Sequence, residues 1–304
     1  MADPRIEALL VGAMDLHCHS GPSAMPRMLN HVEAIRQAEE AGLRAILFKD
    51  HFYSVTPVVA LLNETMKLKI ELLSGVPLNN ASGGLNPYAV EHGFKLGARI
   101  VWMPTISAAN HIRHSHRAQV LPTKEKMMTP RALTVVDDYG RLLDEVKLIL
   151  DQIAEYDGIL SAGHLHISEI WPLFAEAKQR GVTRLLVNHP NFLIGASYTD
   201  MRDLVNMGAY LEHSSCMWAG VQGKNYTAEG LDQLIKAGGI DRTIIGSDLG
   251  KVGNPAPVDG FRHVIGMLIA LGYSDADIRK MVGENAARLI ERRRVSPQVS
   301  NAAE

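Results

Sequence analysis

The residues best able to do chemistry are Asp15-Leu16-His17-Cys18-His19. In an extended chain alternate side chains share a face, so His17 and His19 point together and Cys18 points away. Two imidazoles so placed form a ready-made chelate for a divalent cation. The spacing alone also fits two incidental histidines, and its context decides between these. Three further apolar runs end in ligand-type residues, at Gly163-His164, Asn188-His189-Pro190 and Gly246-Ser247-Asp248. His17, His19, His164 and His189 with Asp248 make a borderline-hard set that suits Zn²⁺ first, with Mn²⁺ or Fe²⁺ as alternatives, and lacks the thiolates of a closed structural zinc site. Another run closes with Phe48-Lys49-Asp50-His51. There Lys49 either reaches the same place or pairs with Asp50 at a rim, and His51 is either a substrate contact or a loop histidine. Glu212-His213 ends a further run, with His213 as a polar contact or ordinary packing. His111, Arg113, His114, His116 and Arg117 crowd into seven residues. They read as a solvated basic turn or, if that segment covers the site, as guanidinium groups suited to a substrate carboxylate.

These residues need elements to position them. Eight short apolar runs recur, at Gly12 to His19, Ala45 to Asp50, Glu71 to Leu78, Arg99 to Thr105, Gly158 to His164, Arg184 to Pro190, Ala209 to Ser215 and Thr243 to Asp248. Most are too continuously apolar to alternate, as expected of parallel strands covered by helices. Amphipathic stretches such as HVEAIRQAEEAG and AEGLDQLIKAGG separate them, several closing on glycine. Strict alternation over this length predicts an α/β fold, a (β/α)₈ TIM barrel over residues 1–294. Strand order then puts every ligand-type end on one rim, with the eighth strand and Asp248 beside the first. The step from the fourth run to the fifth is about twice the others, which places an insertion at about 107–138. Because it follows a strand, it should rise over the rim as a lid. Residues 295–304, SPQVSNAAE with the preceding valine, read as a disordered tail.

Bulk properties remove other classes. The net charge of −2 offers no attraction to nucleic acid. Two cysteines support neither a disulfide framework nor a thiolate metal site, which suits a reducing cytoplasm. No run approaches the roughly 18 apolar residues of a membrane span. The expected partner is a small-molecule substrate, and the chain is expected to form a homo-oligomer.

At this point the sequence resembles the amidohydrolase superfamily, in its branch without a flanking β-sandwich. The resemblance rests on DLHCH in the first strand, SAGHLH in the fifth, LLVNHP in the sixth, IIGSD in the eighth and the closing KMVGENAARLI, and covers nearly the whole chain. It implies that His17 and His19 bind metal, that His164 and His189 bind metal or orient water and substrate, and that Asp248 is ligand and general base. His164 matches better than His166. One departure matters: binuclear members bridge their metals with a carboxylated lysine or glutamate on strand three or four, and here those strands read ELLSGVPL and RIVWMPT. One metal per chain is therefore expected over two, with a carboxylated Lys49 as the rival bridge.

The implied reaction is hydrolysis of an amide, cyclic amide, lactone or ester of a small carboxylate-bearing molecule by a metal-activated water, with Asp248 taking and returning the proton. Catalysis is assigned to Asp248, His189 and Lys49, and substrate contacts to Lys49, His51, Arg113, Arg117 and His213. No GxSxG elbow supports a covalent route. Non-oxidative decarboxylation of an aromatic or unsaturated acid is the alternative reaction, and a non-catalytic metal-binding barrel the alternative of another class.

Overall fold

The computed structural model describes residues 3–115, 123–220 and 226–291. Helix α1 (Pro4–Leu10), capped by the Asp3 carboxylate, precedes the first strand. Then follow β1 (Met14–Cys18), α2 (His31–Glu40), β2 (Ala45–Phe48), α3 (Thr56–Thr65), β3 (Glu71–Leu73), β4 (Gly75–Pro77), α4 (Pro87–Lys95) and β5 (Ile100–Trp102). After α5 (Ala109–Ser115) come α6 (Asp144–Glu155), β6 (Ile159–Ser161), α7 (Ile167–Gln179), β7 (Arg184–Asn188), α8 (Tyr198–Asn206) and β8 (Tyr210–Ser214). The chain continues through α9 (Cys216–Ala219), α10 (Ala228–Gly238), β9 (Thr243–Gly246), α11 (Pro257–Ala270), α12 (Asp275–Arg279) and α13 (Asn285–Ile290). Local sequence explains many boundaries. Asn30 opens α2 with a reciprocal capping box to Glu33, and Ser197 does the same for α8 with Asp200.

Every expected strand is present, the third split at Ser74 into β3 and β4. Pairing is parallel throughout, β1-β2-β3 in one ladder and β4 to β9 in sequence order in the other, and the covalent β3–β4 junction joins them. A Cβ at Gly75 would lie 2.3 Å from the Ile100 carbonyl, so only glycine lets the chain pass so near β5 at that junction. The first and last strands meet through Asp248 N–H to the His17 carbonyl (2.7 Å) and His19 N–H to the Leu249 carbonyl (2.9 Å). Asp15 reinforces the seam: one oxygen accepts from the amides of His17 and Ser247. Its burial pushes that carboxyl up to about 6.

Two apolar layers hold the barrel. Met14, Leu16, Leu47, Ile100, Trp102 and Leu186 fill the interior, while Cys18, Ile46, Phe48, Val101 and Leu211 face the helices. This is the packed arrangement of a TIM barrel, in which the interior is core and the strands' C-terminal rim is free for chemistry. The insertion between β5 and α6 begins with α5 and returns to the barrel, where Ala108 bridges Leu133 and the Val135 amide donates to Glu169. Among the described residues no helix is long and apolar enough to cross a membrane.

Candidate metal centre

The C-terminal rim gathers six buried imidazoles, a lysine and a carboxylate. A register shift between Asp15 and Cys18 interrupts the β1–β2 ladder, and Cys18 still packs outward. His17 and His19 nonetheless face one another, with ring centres 5.3 Å apart. His17 Nδ1 donates to Glu212 (2.8 Å), and His19 Nδ1 donates to the Lys49 carbonyl (2.8 Å). Both partners can only accept, so each Nε2 carries a lone pair. Those lone pairs converge on one oxygen of Asp248, at 3.1 Å from His17 and 2.9 Å from His19. Three acceptors meeting in this way suit a cation, and their donor atoms all lie within 4.8 Å of one another.

Backbone strain marks the same rim. Asp248 and His189 adopt left-handed φ of 48° and 32°, and Gly163 before His164 has 61°. Non-glycine residues held there cost about 1–3 kcal/mol each and persist where surroundings impose them. At Gly163 a Cβ would fall 2.2 Å from the Met103 carbonyl, which explains the glycine before this histidine.

Burial favours the neutral rings of His19, His51 and His164. Burial, aided by Arg27, lowers His19 to about 3, and burial pushes His51 and His164 well below the ordinary value. Burial alone would raise Asp248, but the neighbouring His17 and His19 hold it well below the carboxylate range. Its side chain is 21% exposed, so the donor set opens to solvent. Lys49 is fully enclosed, and burial lowers its pKa against the pull of Asp248 and Glu212. Its Nζ lies 2.9 Å from His17 Nε2 and 5.3 Å from the centre of the Trp102 ring, while Asp50 pairs with Arg27 (3.4 Å). Lys49 therefore joins the site instead of forming a rim pair with Asp50.

His164 and His189 stand across the mouth, ring centres 5.0 Å apart, with His17 6.2 Å from His189. His164 Nδ1 meets His111 Nδ1 at 2.7 Å, so one ring donates and the other accepts. His189 Nδ1 is buried with no hydrogen-bond partner among the described residues. His166 instead caps α7.

A profile of DUF6282, described as a family of unknown function, matches residues 12–212. The chain belongs to that family. The DUF6282 match takes in His17, His19, Lys49, His164, His189 and Glu212, and ends before Asp248. No functionally curated protein matches the sequence. Among solved structures, an amidohydrolase from Pseudomonas aeruginosa is similar with a TM-score of 0.66 and 14% identity over 95% of this chain and 98% of that one. A candidate 2-pyrone-4,6-dicarboxylic acid hydrolase from Pseudomonas putida follows at 0.58 and 13%, over 92% and 97%. A dihydroxybenzoic acid decarboxylase from Polaromonas sp. JS666, with bound manganese and 2-nitroresorcinol, gives 0.53 and 12% over 92% and 97%. These likenesses show that this DUF6282 chain has the amidohydrolase-type barrel fold.

Not every expected residue enters the cluster. His213 shares the outward face of β8 with Leu211, which packs on Gly238 of α10, and both its ring nitrogens are buried with no partner among the described residues. Glu212, its inward neighbour, is the residue that reaches the site. Arg113 is exposed on α5, where its charge acts on Glu169. Arg117 lies outside the described residues. The linear pattern gives no sign of His111's place beside His164 or of the chain Ser161–Asn188–Glu212–His17. The period-2 pattern of β8 was the available signal for Glu212, since it shares a face with Ser214, whose hydroxyl donates to it.

Proposed function

We propose that the protein is a metal-dependent hydrolase that opens an amide, cyclic amide, lactone or ester bond of a small carboxylate-bearing molecule. The observation that carries this is the convergence of His17 Nε2, His19 Nε2 and Asp248 Oδ1, with both Nδ1 atoms tied off by acceptors. A divalent cation there, Zn²⁺ by the donor chemistry, would supply Lewis acidity and lower the pKa of a bound water toward about 7. Asp248 is ionised and partly open to solvent, so it accepts the proton of the attacking water and returns it to the leaving group. Lys49 lies beside His17, where its N–H polarises the carbonyl under attack. His164 and His189 line the opposite wall and orient the substrate. The insertion closes over the mouth and brings Arg113 toward the substrate carboxylate.

Non-oxidative decarboxylation of an aromatic acid is the second reading. It is favoured by a far wall where the imidazoles of His111, His164 and His189 gather, and by a fold shared with a dihydroxybenzoic acid decarboxylase. The partly exposed Asp248 argues against a closed, non-catalytic metal site.

The test begins with metal analysis of protein purified without chelator, where about one ion per chain is expected. Two ions, falling to one in Lys49→Ala, would make Lys49 a carboxylated bridge. The zinc-loaded protein is then offered small lactones, cyclic amides and aromatic acids. Ring-opened product supports hydrolysis and released CO₂ supports decarboxylation. Failure to retain any metal would overturn both.

A further inference from the structure

We propose that His51 serves this site as a fixed N–H donor, its Nε2–H binding a carboxylate or carbonyl oxygen of the substrate, and that it does not ligate the cation. The inference deepens the metal-dependent reading and rests on it for the presence of a substrate at this rim.

Asn79 is buried behind the rim. Its Oδ1 accepts from two backbone amides, Thr105 (2.9 Å) and Ser107 (3.1 Å), so the orientation of the amide is unambiguous. Its Nδ2 must then donate, and does so to the His51 carbonyl (3.0 Å) and to Thr105 Oγ1 (2.7 Å). The Thr105 hydroxyl, fully buried, receives that N–H and still has its own proton to place. His51 Nδ1 lies 3.1 Å away. If His51 Nδ1 carried a hydrogen, it would donate to a hydroxyl that is already accepting, and the hydroxyl proton would be left buried and unpaired. The satisfied arrangement has Thr105 donating to Nδ1, which leaves the hydrogen of the neutral ring on Nε2.

The ring stands between the two sides of the mouth, its centre 4.9 Å from His19 and 6.3 Å from His164. Among the described residues its Nε2 has no protein partner, and it is not one of the fully enclosed unpaired nitrogens. An N–H aimed there repels a cation and attracts an oxygen. This separates His51 from His17 and His19, whose Nδ1 atoms each lie 2.8 Å from a group that can only accept, nearer than the Arg27 guanidinium 3.4 Å from His19 Nδ1, and whose Nε2 atoms therefore carry no hydrogen. The hydrogen-bond partner behind each imidazole sets its chemistry in front.

The experiment uses zinc-loaded full-length protein with ¹⁵N-labelled histidine. His51 should show a pyrrole-type Nε2 and a pyridine-type Nδ1. Thr105→Ser should keep that pattern and Thr105→Val should lose it. Benzoate, a carboxylate with little tendency to strip zinc, is the binding probe. Its affinity should fall about tenfold in Thr105→Val and in His51→Leu, the scale of one hydrogen bond to a charged group. Thr105→Ser should bind benzoate like the wild type, and zinc content should be unchanged in all three variants. A pyrrole-type Nδ1 in the wild type, zinc lost from His51→Leu, or unaltered benzoate affinity would each overturn the proposal. If Thr105→Val does not fold, the wild-type spectrum and His51→Leu still decide it. A protein that takes up no zinc would refute the metal-dependent reading instead, while the same spectra still report the tautomer.

Discussion

The two sides of the barrel mouth are both built of buried histidines, yet their nitrogens are held differently. On the β1 side, His17 and His19 each donate from Nδ1 to a group that can only accept, and their Nε2 atoms meet the Asp248 carboxylate. On the β6–β7 side, His164 and His111 hold each other, and His189 Nδ1 has no partner among the described residues. The first side is committed to one tautomer. The second can donate or accept, which suits a substrate whose charge changes during reaction. Ligand capacity follows from what lies behind the ring as well as from the histidine itself.

The sharpest way to break this comparison is to remove a donor from the committed side. His17→Ala and Asp248→Asn should each weaken metal binding by more than about 100-fold, since groups that only orient ligands are already worth 10–100-fold. His164→Ala should leave the metal content near its wild-type value. Elemental analysis after dialysis, with circular dichroism to verify folding, reads both. Equal metal loss from the two sides would erase the distinction.

Glu212→Gln tests the orienting layer alone. The amide can offer His17 Nδ1 an oxygen but not a charge, and metal affinity should fall about 10–100-fold. Competition against a chelator measures it. An unchanged affinity would mean that the geometry of β1 alone holds His17 in place.

Histidines away from the donor set sharpen the comparison through pH. Burial depresses His31 and His213 to about 4, from an unfolded value near 6.5. The unfolded chain therefore binds more protons than the folded one in this interval. The neutral rings contribute their full stability above pH 6.5, and it is lost as pH falls toward 4, up to about 3 kcal/mol for each. Urea midpoints should drop across that window. His213→Leu, which removes a ring whose two nitrogens have no partner among the described residues, should make the drop shallower, and a flat profile in the wild type would contradict the assignment.

The smallest effect is expected at the insertion. Arg113 is exposed, and an exposed guanidinium contributes about 0.2–1 kcal/mol to a contact. Arg113→Ala should weaken benzoate binding by about 1.4- to fivefold, less than His51→Leu. No change would remove this arginine from substrate recognition.

Much of the architecture was legible in the linear chain, for a local reason. Short apolar runs such as ARIVWMP and TRLLVNHP, alternating with amphipathic stretches that can cover them, read as strands buried on both faces. Parallel order then brings HxH, Gly-His, Asn-His and Ser-Asp to one rim, so His17, His19, His164, His189 and Asp248 could be chosen before any coordinates. What the sequence left open turned on a single side chain's direction. His213 and Glu212 are adjacent, and the inward one proved to be the carboxylate. Lys49 had Asp50 as its nearest opposite charge in sequence, yet in the barrel Asp50 belongs to Arg27 and Lys49 to His17.

The sequence by itself determined the strand order, the rim and the chemical types gathered on it, because periodicity and chain direction are local properties that parallel winding carries into space. The tertiary structure alone decided which nitrogen of His17 and of His19 is free. That depends on acceptors from distant segments: Glu212, 195 residues from His17, and the Lys49 carbonyl, 30 residues from His19. It equally decided that His111, from the insertion, lies against His164, and that Asn79 and Thr105 stand behind His51. A hydrogen bond between side chains has a range of about 3 Å and leaves no periodic trace in the residues between them.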